Sequence, residues 1–369
     1  MRRPARIRTA TVVAGARPNF VKVAPVLRAL RGRGVEVRLV HTGQHYDDAM
    51  SRAFFRDLGI PAPEVDLGVG SGPHGAQTGR VLERFEADLV AHPADAVVVV
   101  GDVNSTLAAA LAAAKLEVPV AHVEAGLRSF DRAMPEELNR LLTDRIADWL
   151  FVTETSGVRN LEREGIPAAR IFLVGNVMID SLEAARRAWQ AAGRAPAAPA
   201  QGAYAVMTLH RPANVDRADI LAGILDAVGE LAGRLPVVFP VHPRTAERLA
   251  AFGLGPRLAA APGLATTAPM GYLEFLGLLA GARLILTDSG GAQEEALVLG
   301  VPCVTLREST ERPVTVAMGG NRLVGSDPAR IRVGIEAALA VGGAPRRPPL
   351  WDGRAAERIA DILLEEASA

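Results

Sequence analysis

Short apolar runs alternate with stretches of helical periodicity along most of this chain. In the first half, the runs that predict strands are 9–14, 36–41, 96–100, 118–123, 149–153 and 171–174. The segments with helical spacing between them are 21–31, 76–90, 105–114, 136–146 and 155–163. Strands that alternate with helices are typical of βαβ units, so we expect a parallel sheet covered by helices.

The pattern stops at 191–202, which is rich in Ala, Pro and Gly and has no apolar period. It then restarts with 204–209, 220–231, 237–241, 245–252, 272–280, 282–286, 292–299 and 303–306, and an amphipathic helix at 354–366 ends it. We therefore predict an α/β protein with two Rossmann-like, doubly wound parallel-sheet domains that face an interdomain cleft. The predicted domains are 1–185 and 203–352, with a helix at 353–369 that packs back toward the N-terminal domain.

Composition narrows the class of protein. The formal net charge of the 369 residues is zero, which disfavours a nucleic-acid partner. No run approaches the roughly 20 apolar residues that span a bilayer, so we expect a cytoplasmic protein without membrane contact. The single cysteine, Cys303, cannot form an intrachain disulfide. Dinucleotide-binding and Walker A patterns are absent, and the histidines lack metal spacing, so we predict neither cofactor nor metal.

The segment 287–296 carries the clearest chemical signal. An apolar run precedes Ser289, Gly290 and Gly291, and a helical pattern follows them. Glycines let the backbone approach an anion closely, and the first N–H groups of a helix point at it. Acidic residues one turn later could accept hydrogen bonds from sugar hydroxyls. The segment therefore predicts a nucleotide or nucleotide-sugar site.

Three carboxylates follow predicted strands or open a helix. Asp102 and Glu124 lie at the ends of two strands, and Glu136 follows a proline at the start of a helix. Each has a structural alternative: an N-cap for Asp102, an ion pair with Arg128 for Glu124, and helix-dipole compensation for Glu136. Together at one sheet edge they favour acid–base chemistry, which needs carboxylates tuned by burial and crowding.

Two histidines and a charged loop belong to the second half. His210 and His242 each end a predicted strand, where open α/β sheets bind ligands. Arg307, Glu311 and Arg312 lie in one loop, and its arginines could grip a diphosphate or simply face solvent.

Taken together, these motifs resemble those of a known family. They include His-Val-Glu-Ala-Gly-Leu-Arg at 122–128, Met-Pro-Glu-Glu-Leu-Asn-Arg at 134–140, Asp-Ser-Gly-Gly-Ala-Gln-Glu-Glu at 288–295 and Thr-Glu-Arg-Pro at 310–313. In this order they are similar to the motifs of the non-hydrolysing UDP-N-acetylglucosamine 2-epimerases.

The resemblance implies a fold of the glycosyltransferase-B (GT-B) type and a homodimer. It implies reversible conversion of UDP-N-acetylglucosamine to UDP-N-acetylmannosamine for polysaccharide or cell-wall synthesis, with no cofactor or metal. The route would be anti elimination of UDP to a 2-acetamidoglucal, followed by re-addition. The matching catalytic positions are Asp102, Glu124, Glu136 and His210. The positions that match UDP-sugar contacts are Arg17, His242, Phe275, Ser289, Gly290, Gly291, Glu295 and Arg312.

Some features depart from the family pattern. Asn19 stands where many members have Glu, and Tyr46, Asp47 and Asp48 differ from bacterial members that bind a second, activating UDP-sugar. We therefore do not expect substrate activation. A hydrolysing epimerase and an epimerase of a UDP-diacetamido sugar stay open as alternatives. A GT-B glycosyltransferase would need an acceptor site, and a UDP-sugar sensor would lack the carboxylates.

Overall fold

The computed structural model describes residues 6–15, 17–43, 59–191, 193, 203–340 and 345–365, without the side chains of residues 17 and 18. The described chain divides into two compact units. One contains Met1–Ala184 with Pro349–Ala369, and the other contains Ala185–Pro348. The predicted linker at 191–202 falls almost entirely outside the described residues.

The first unit is built on a seven-stranded parallel sheet. Its strands are β1 (Thr9–Ala14), β2 (Glu36–His41), β3 (Val65–Asp66), β4 (Ala96–Val100), β5 (Val120–Ala125), β6 (Trp149–Val152) and β7 (Ile171–Leu173). They lie in the order β3-β2-β1-β4-β5-β6-β7. The order reverses between β1 and β4, and ligands of such sheets bind at the carboxyl ends of the strands beside this reversal.

Helices connect these strands. They are α1 (Arg17–Gly32), α2 (His74–Ala91), α3 (Asn104–Lys115), α4 (Pro135–Ile146), α5 (Thr155–Arg163) and α6 (Val177–Ala191), with a 3-10 turn at Ala168–Arg170. Every residue of β4, β5 and β6 is buried, as expected for central strands covered on both faces.

The second unit repeats the design with a six-stranded parallel sheet. Its strands are β8 (Ala205–Thr208), β9 (Val237–Pro240), β10 (Leu264–Thr267), β11 (Leu284–Thr287), β12 (Cys303–Thr305) and β13 (Asn321–Leu323). The order is β10-β9-β8-β11-β12-β13, so this sheet reverses between β8 and β11. Its helices are α7 (Pro212–Val215), α8 (Ala218–Ala232), α9 (Pro243–Ala251), α10 (Gly255–Ala259), α11 (Tyr272–Ala280), α12 (Gly290–Leu299), α13 (Pro313–Ala317) and α14 (Pro328–Leu339).

After α14 the chain returns to the first unit. Helix α15 (Ala355–Glu365) packs on α1, and the buried Trp351 donates from Nε1 to the carbonyl of Thr153 at 2.9 Å. Asp180 of α6 accepts the first N–H groups of α15, from Ala355 at 3.1 Å and from Ala356 at 2.7 Å. These bonds cap a helix start that would otherwise leave buried donors unpaired.

The two doubly wound parallel sheets confirm the fold class that the sequence predicts. The structure adds strands that the pattern did not indicate: β3, β10 and β13 contain only two to four residues each. The apolar residues of α4 do not all face the core. Ile146 packs against it, but Leu138 and Leu142 are 38% and 54% exposed.

Candidate functional site

The turn after β4 places Asp102 at the carboxyl edge of the first sheet. Gly101 has a φ of +72°, which L side chains rarely adopt. The Asp102 carboxylate forms an ion pair with the buried Arg140 of α4, and its carbonyl accepts from Asn139 Nδ2 at 2.9 Å. Asp102 is not an N-cap, because Val103 holds that position of α3. Helix α4 therefore fixes both the side chain and the backbone of Asp102.

Glu124 lies at an irregularity in β5. The register with β6 shifts between Val123 and Ala125, and Glu124 has a φ of +73°. A non-glycine residue in this region is strained, and such strain often occurs at functional sites. The Glu124 carboxylate forms a buried ion pair with Lys22 of α1. The alternative pairing with Arg128 is wrong, since Arg128 pairs with Asp144 and Glu164, both at 2.7 Å.

The Glu124–Lys22 pair lies against the Gly101 turn. A Cβ atom on Gly101 would be 3.3 Å from Asn19 Nδ2, 3.5 Å from Lys22 Nζ and 3.6 Å from Glu124 Oε2. Asn19 also donates to the carbonyl of Val100 at 2.9 Å. The glycine thus allows one carboxylate, one ammonium and one amide to gather beside the turn that carries Asp102.

Glu136 occupies the first turn of α4 and is half-buried. Its neighbour Glu137 is buried and accepts from Ser129 N at 2.8 Å and Phe130 N at 3.1 Å, so Glu137 holds the preceding loop. Among the described residues, no hydrogen bond or ion pair joins Glu136 to Asp102 or Glu124. The structure therefore places Asp102 directly after Gly101, Glu124 against Gly101, and Glu136 at the start of α4.

A second ionic site lies where the strand order of the other sheet reverses. Asp288, which follows β11, is fully buried and lies 2.9 Å from His210 Nδ1. It also accepts from the backbone N–H groups of His210 and Arg211 at 3.1 and 3.0 Å, and from Asn214 Nδ2 at 3.1 Å. Burial alone would raise the pKa of Asp288, but these donors outweigh it and lower this pKa.

The carboxylate of Asp288 fixes the tautomer of His210. Because a carboxylate only accepts, His210 carries a proton on Nδ1, and Nε2 points to the opposite side of the ring. The His210 side chain is 38% exposed. Sequence reasoning singled out His210 but assigned no role to Asp288. The available signal was a lone acidic residue directly after a buried strand.

His242 is the N-cap of α9. Its Nδ1 accepts the backbone N–H of Arg244 at 3.2 Å, and its ring centroid is 5.5 Å from that of His210. The predicted pair of strand-end histidines therefore lies together, at the carboxyl edge of neighbouring strands β8 and β9.

Helix α12 begins with the predicted glycines. Ser289 is its N-cap and accepts from the N–H of Ala292 at 3.5 Å. A Cβ atom on Gly290 would be 3.0 Å from Cζ of Arg312, so a guanidinium covers the first turn. Helix N–H groups and arginine side chains are groups that commonly bind phosphates in proteins.

Two further arginines surround the neighbouring carboxylate of Glu311. Arg307 lies 2.7 Å and Arg211 3.3 Å from it, and Arg312 lies at 3.9 Å. Burial alone would raise the pKa of Glu311, but Arg312, Arg307 and Arg211 hold it well below its usual range. The buried carboxylate of Glu311 thus has three arginines around it, so this loop is not simply a solvated charged loop.

The adjacent residues Glu294 and Glu295 are both buried in α12 but have different neighbours. Glu294 lies 3.0 Å from Arg312 Nε. Glu295 lies beside Tyr272 of α11, and burial together with the Glu294 carboxylate raises the pKa of Glu295 to about 8. Phe275 is half-buried one turn after Tyr272 on the same helix. Glu295 and Phe275 therefore belong to the part of the unit where α11 meets α12.

Arg17 opens α1, but its side chain lies outside the described part of the chain, as do residues 44–48. Within the described residues, no group of three or more His, Cys, Asp or Glu side chains is arranged to hold a metal ion. No described helix is both long enough and apolar enough to cross a bilayer.

Comparison with known proteins identifies the family. The sequence model of the family described as UDP-N-acetylglucosamine 2-epimerase matches residues 28–364. The chain belongs to this family. The match includes Asp102, Glu124, His210 and the start of α12, and it confirms the family that the sequence motifs predict.

Individual members of this epimerase family agree over most of the chain. The UDP-N-acetylglucosamine 2-epimerase of Methanocaldococcus jannaschii is 43% identical, over 96% of this chain and 98% of its own. A UDP-2,3-diacetamido-2,3-dideoxy-D-glucuronate 2-epimerase of Pseudomonas aeruginosa is 45% identical, over 85% of this chain and 87% of its own. The crystal structure of the Methanocaldococcus jannaschii UDP-GlcNAc 2-epimerase with UDP-GlcNAc and UDP has a TM-score of 0.88 and covers 96% of this chain and 99% of its own. The GT-B type of fold is thereby confirmed.

Proposed function

We propose that this protein catalyses the reversible, non-hydrolysing epimerisation of UDP-N-acetylglucosamine at C2. The observation that carries the proposal is the strained Glu124, held with Lys22 against the Gly101–Asp102 turn. Family membership supplies the substrate class, since the Methanocaldococcus jannaschii relative was crystallised with UDP-GlcNAc and UDP.

The proposed epimerisation proceeds in two steps, an elimination of UDP and its re-addition. A carboxylate removes the C2 proton, the C–H electron pair forms the C1–C2 double bond, and the C1–O bond breaks with its electrons leaving on UDP. A proton then returns to the opposite face of C2, and a phosphate oxygen of UDP adds back to C1. Asp102, Glu124, Glu136 and His210 are the proposed proton-transfer groups.

When the C1–O bond breaks, negative charge develops on the diphosphate of the departing UDP, and this charge must be stabilised. In our proposal, Ser289, the N–H groups of Gly290 and Gly291 and the Arg312 guanidinium bind the diphosphate and stabilise it as it leaves. Glu295 binds the ribose, Phe275 lies near the uracil, and Arg17 and His242 contact the UDP portion. A UDP held in this way stays available for re-addition, which favours epimerisation over hydrolysis.

Proton NMR of the reaction in D2O tests the proposal. Incubation with UDP-N-acetylglucosamine should produce two UDP-sugars with deuterium at C2. Free N-acetylmannosamine with UDP would instead establish a hydrolysing enzyme. The 45% identity to the diacetamido-glucuronate epimerase makes that nucleotide the second substrate to test. No deuterium incorporation into either nucleotide would refute the proposal.

Glu124→Gln tests the central residue. It should abolish exchange while leaving UDP affinity unchanged, because the proposed UDP contacts belong mainly to the other unit. Glu162→Gln is the matched control, since Glu162 is exposed on α5. Retained exchange in Glu124→Gln would remove Glu124 from the catalytic set.

We also propose that the protein acts as a homodimer and that α4 contributes to the contact. Its buried face is polar, with Asn139, Arg140 and Asp144 held by the site, so the helix cannot turn Leu138 and Leu142 inward. A second copy would cover these leucines. Leu142→Glu should halve the mass measured by light scattering, and a monomeric unmodified protein would refute the proposal.

A further inference from the structure

His122 is completely buried in β5, two residues before Glu124. Its Nε2 lies 2.8 Å from the carbonyl oxygen of Gly101, and its Nδ1 lies 2.6 Å from the Asp144 carboxylate. A carbonyl oxygen can only accept a hydrogen bond, so Nε2 carries a proton.

Asp144 has two other partners besides His122. Its other oxygen is 2.7 Å from Nη1 of Arg128 and accepts the backbone N–H of Gly126 at 3.1 Å. Burial alone would raise the pKa of Asp144, but His122 and Arg128 outweigh it and lower this pKa. Asp144 therefore joins the His122 ring, the Arg128 guanidinium and the Gly126 backbone through one buried side chain.

His122 and Asp144 together hold the turn after β4 and the strained backbone at Glu124. His122 binds the carbonyl of Gly101, next to Asp102, and Asp144 binds the N–H of Gly126, two residues after Glu124. Gly101, Glu124 and Gly126 have φ values of +72°, +73° and +80°. A left-handed conformation persists at a non-glycine residue only where its surroundings impose it.

We propose that His122 and Asp144 are positioning residues that fix the distance between the Asp102 and Glu124 carboxylates by tying both turns to α4. The proposal rests on the proposed function, because it assigns these carboxylates to proton transfer. Hydrogen bonds in which one partner is charged are about twice as strong as neutral ones, which suits them to hold strained backbone. Neither side chain touches the substrate.

Kinetics of the full-length protein provide the first test. His122→Phe keeps an aromatic ring and loses both hydrogen bonds, so kcat for C2 deuterium exchange should fall about 10²-fold, the effect of a misplacement near 1 Å. KM and UDP affinity should stay unchanged. Leu89→Ala is the stability control: Leu89 is buried near the C-terminal end of α2, away from the carboxyl edge of the sheet.

The comparison separates positioning from stability. If Leu89→Ala lowers the unfolding midpoint as much as His122→Phe but retains kcat, the loss in His122→Phe comes from position. An unchanged kcat in folded His122→Phe would overturn the proposal. A wild-type protein without exchange activity would refute the proposed function instead, and the following measurement does not depend on activity.

Nitrogen-15 NMR of histidine-labelled protein tests the hydrogen bond to Gly101 directly. One of the seven histidines should show a protonated Nε2, and its signal should be lost in His122→Phe. In Asp144→Asn the amide would donate to Nδ1, and the ring would still donate from Nε2 to Gly101. That variant should therefore lose less kcat than His122→Phe. An unprotonated Nε2 of His122 in the unmodified protein, or a greater loss in Asp144→Asn, would overturn the proposal.

Discussion

Replacing Asp288 by Asn should invert the tautomer of His210. The oxygen of Asp288 that accepts from Arg211 N and Asn214 Nδ2 faces only donors, so the Asn oxygen would take that position. The Asn NH2 group would then face His210 Nδ1 in place of the other carboxylate oxygen. An NH2 group donates, so Nδ1 would have to accept and the proton of His210 would move to Nε2.

The size of the effect follows from what His210 loses. A positioned general acid–base group contributes about 10²–10⁴-fold to the rate, and the inverted ring would present a donor at Nε2 where the present tautomer has an acceptor. We expect kcat and kcat/KM to fall together within that range. The fold should persist at a cost of roughly 1.5–3 kcal/mol, because one charge-assisted hydrogen bond is lost and most others remain.

The assay is initial-rate C2 deuterium exchange at saturating UDP-sugar, with UDP affinity measured separately by calorimetry. Asp219→Asn is the matched control, because Asp219 is an exposed carboxylate on α8 paired with the exposed Arg217. Nitrogen-15 NMR of His210 reports the tautomer independently. A kcat within a few-fold of the unmodified value, with the tautomer inverted as expected, would refute the assignment of His210 as an acid–base group.

Three further predictions use other buried groups. Burial and the Glu294 carboxylate raise the pKa of Glu295 to about 8, so UDP binding at pH 7 should release a proton when Glu295 binds the ribose as a carboxylate. Calorimetry in buffers of different ionisation enthalpy measures this proton, and equal binding heats in all buffers would contradict the prediction. Burial raises the pKa of Asp180 to about 6, above its unfolded value, so this group should lower stability by roughly 2–3 kcal/mol as pH rises from about 4 to about 6. In urea denaturation measured at several pH values, Asp180→Asn should remove this dependence of the unfolding free energy on pH. The same pH dependence in the variant would contradict the prediction. Burial raises the pKa of the Cys303 thiol to about 12, so alkylation should require unfolding, and rapid labelling of native protein would disprove its burial.

The strands of both sheets could largely be predicted because central parallel strands are continuous apolar runs. The start of α12 was also predictable, since Ser289, Gly290 and Gly291 are adjacent in sequence. Short edge strands such as β13 carry too few residues to produce a pattern. The sequence thus predicts those elements whose structure is determined by residues adjacent to one another in the chain.

The partners of the site residues could not be predicted in this way. Lys22 and Glu124 are 102 positions apart, and His210 and Asp288 are 78 apart. Only the folded sheet brings them together, and local patterns carry no information about such pairs. For helix α4 a local pattern exists but does not determine the packing. Its apolar residues have clear helical spacing, but ionic contacts with the site, such as that of Arg140, determine which face is buried.

The return of the chain end to the first unit sets an order of completion during synthesis. The second unit is one continuous segment, Ala185–Pro348, whereas the first also needs Pro349–Ala369. The N–H groups of Ala355 and Ala356, which Asp180 binds, are synthesised about 175 residues after it. The face of α1 that packs against α15 stays uncovered until α15 leaves the ribosome. Synthesis of the first unit therefore begins before that of the second unit and is completed after it. The carboxylates proposed for catalysis belong to the half of the molecule that a prematurely terminated chain would leave incomplete.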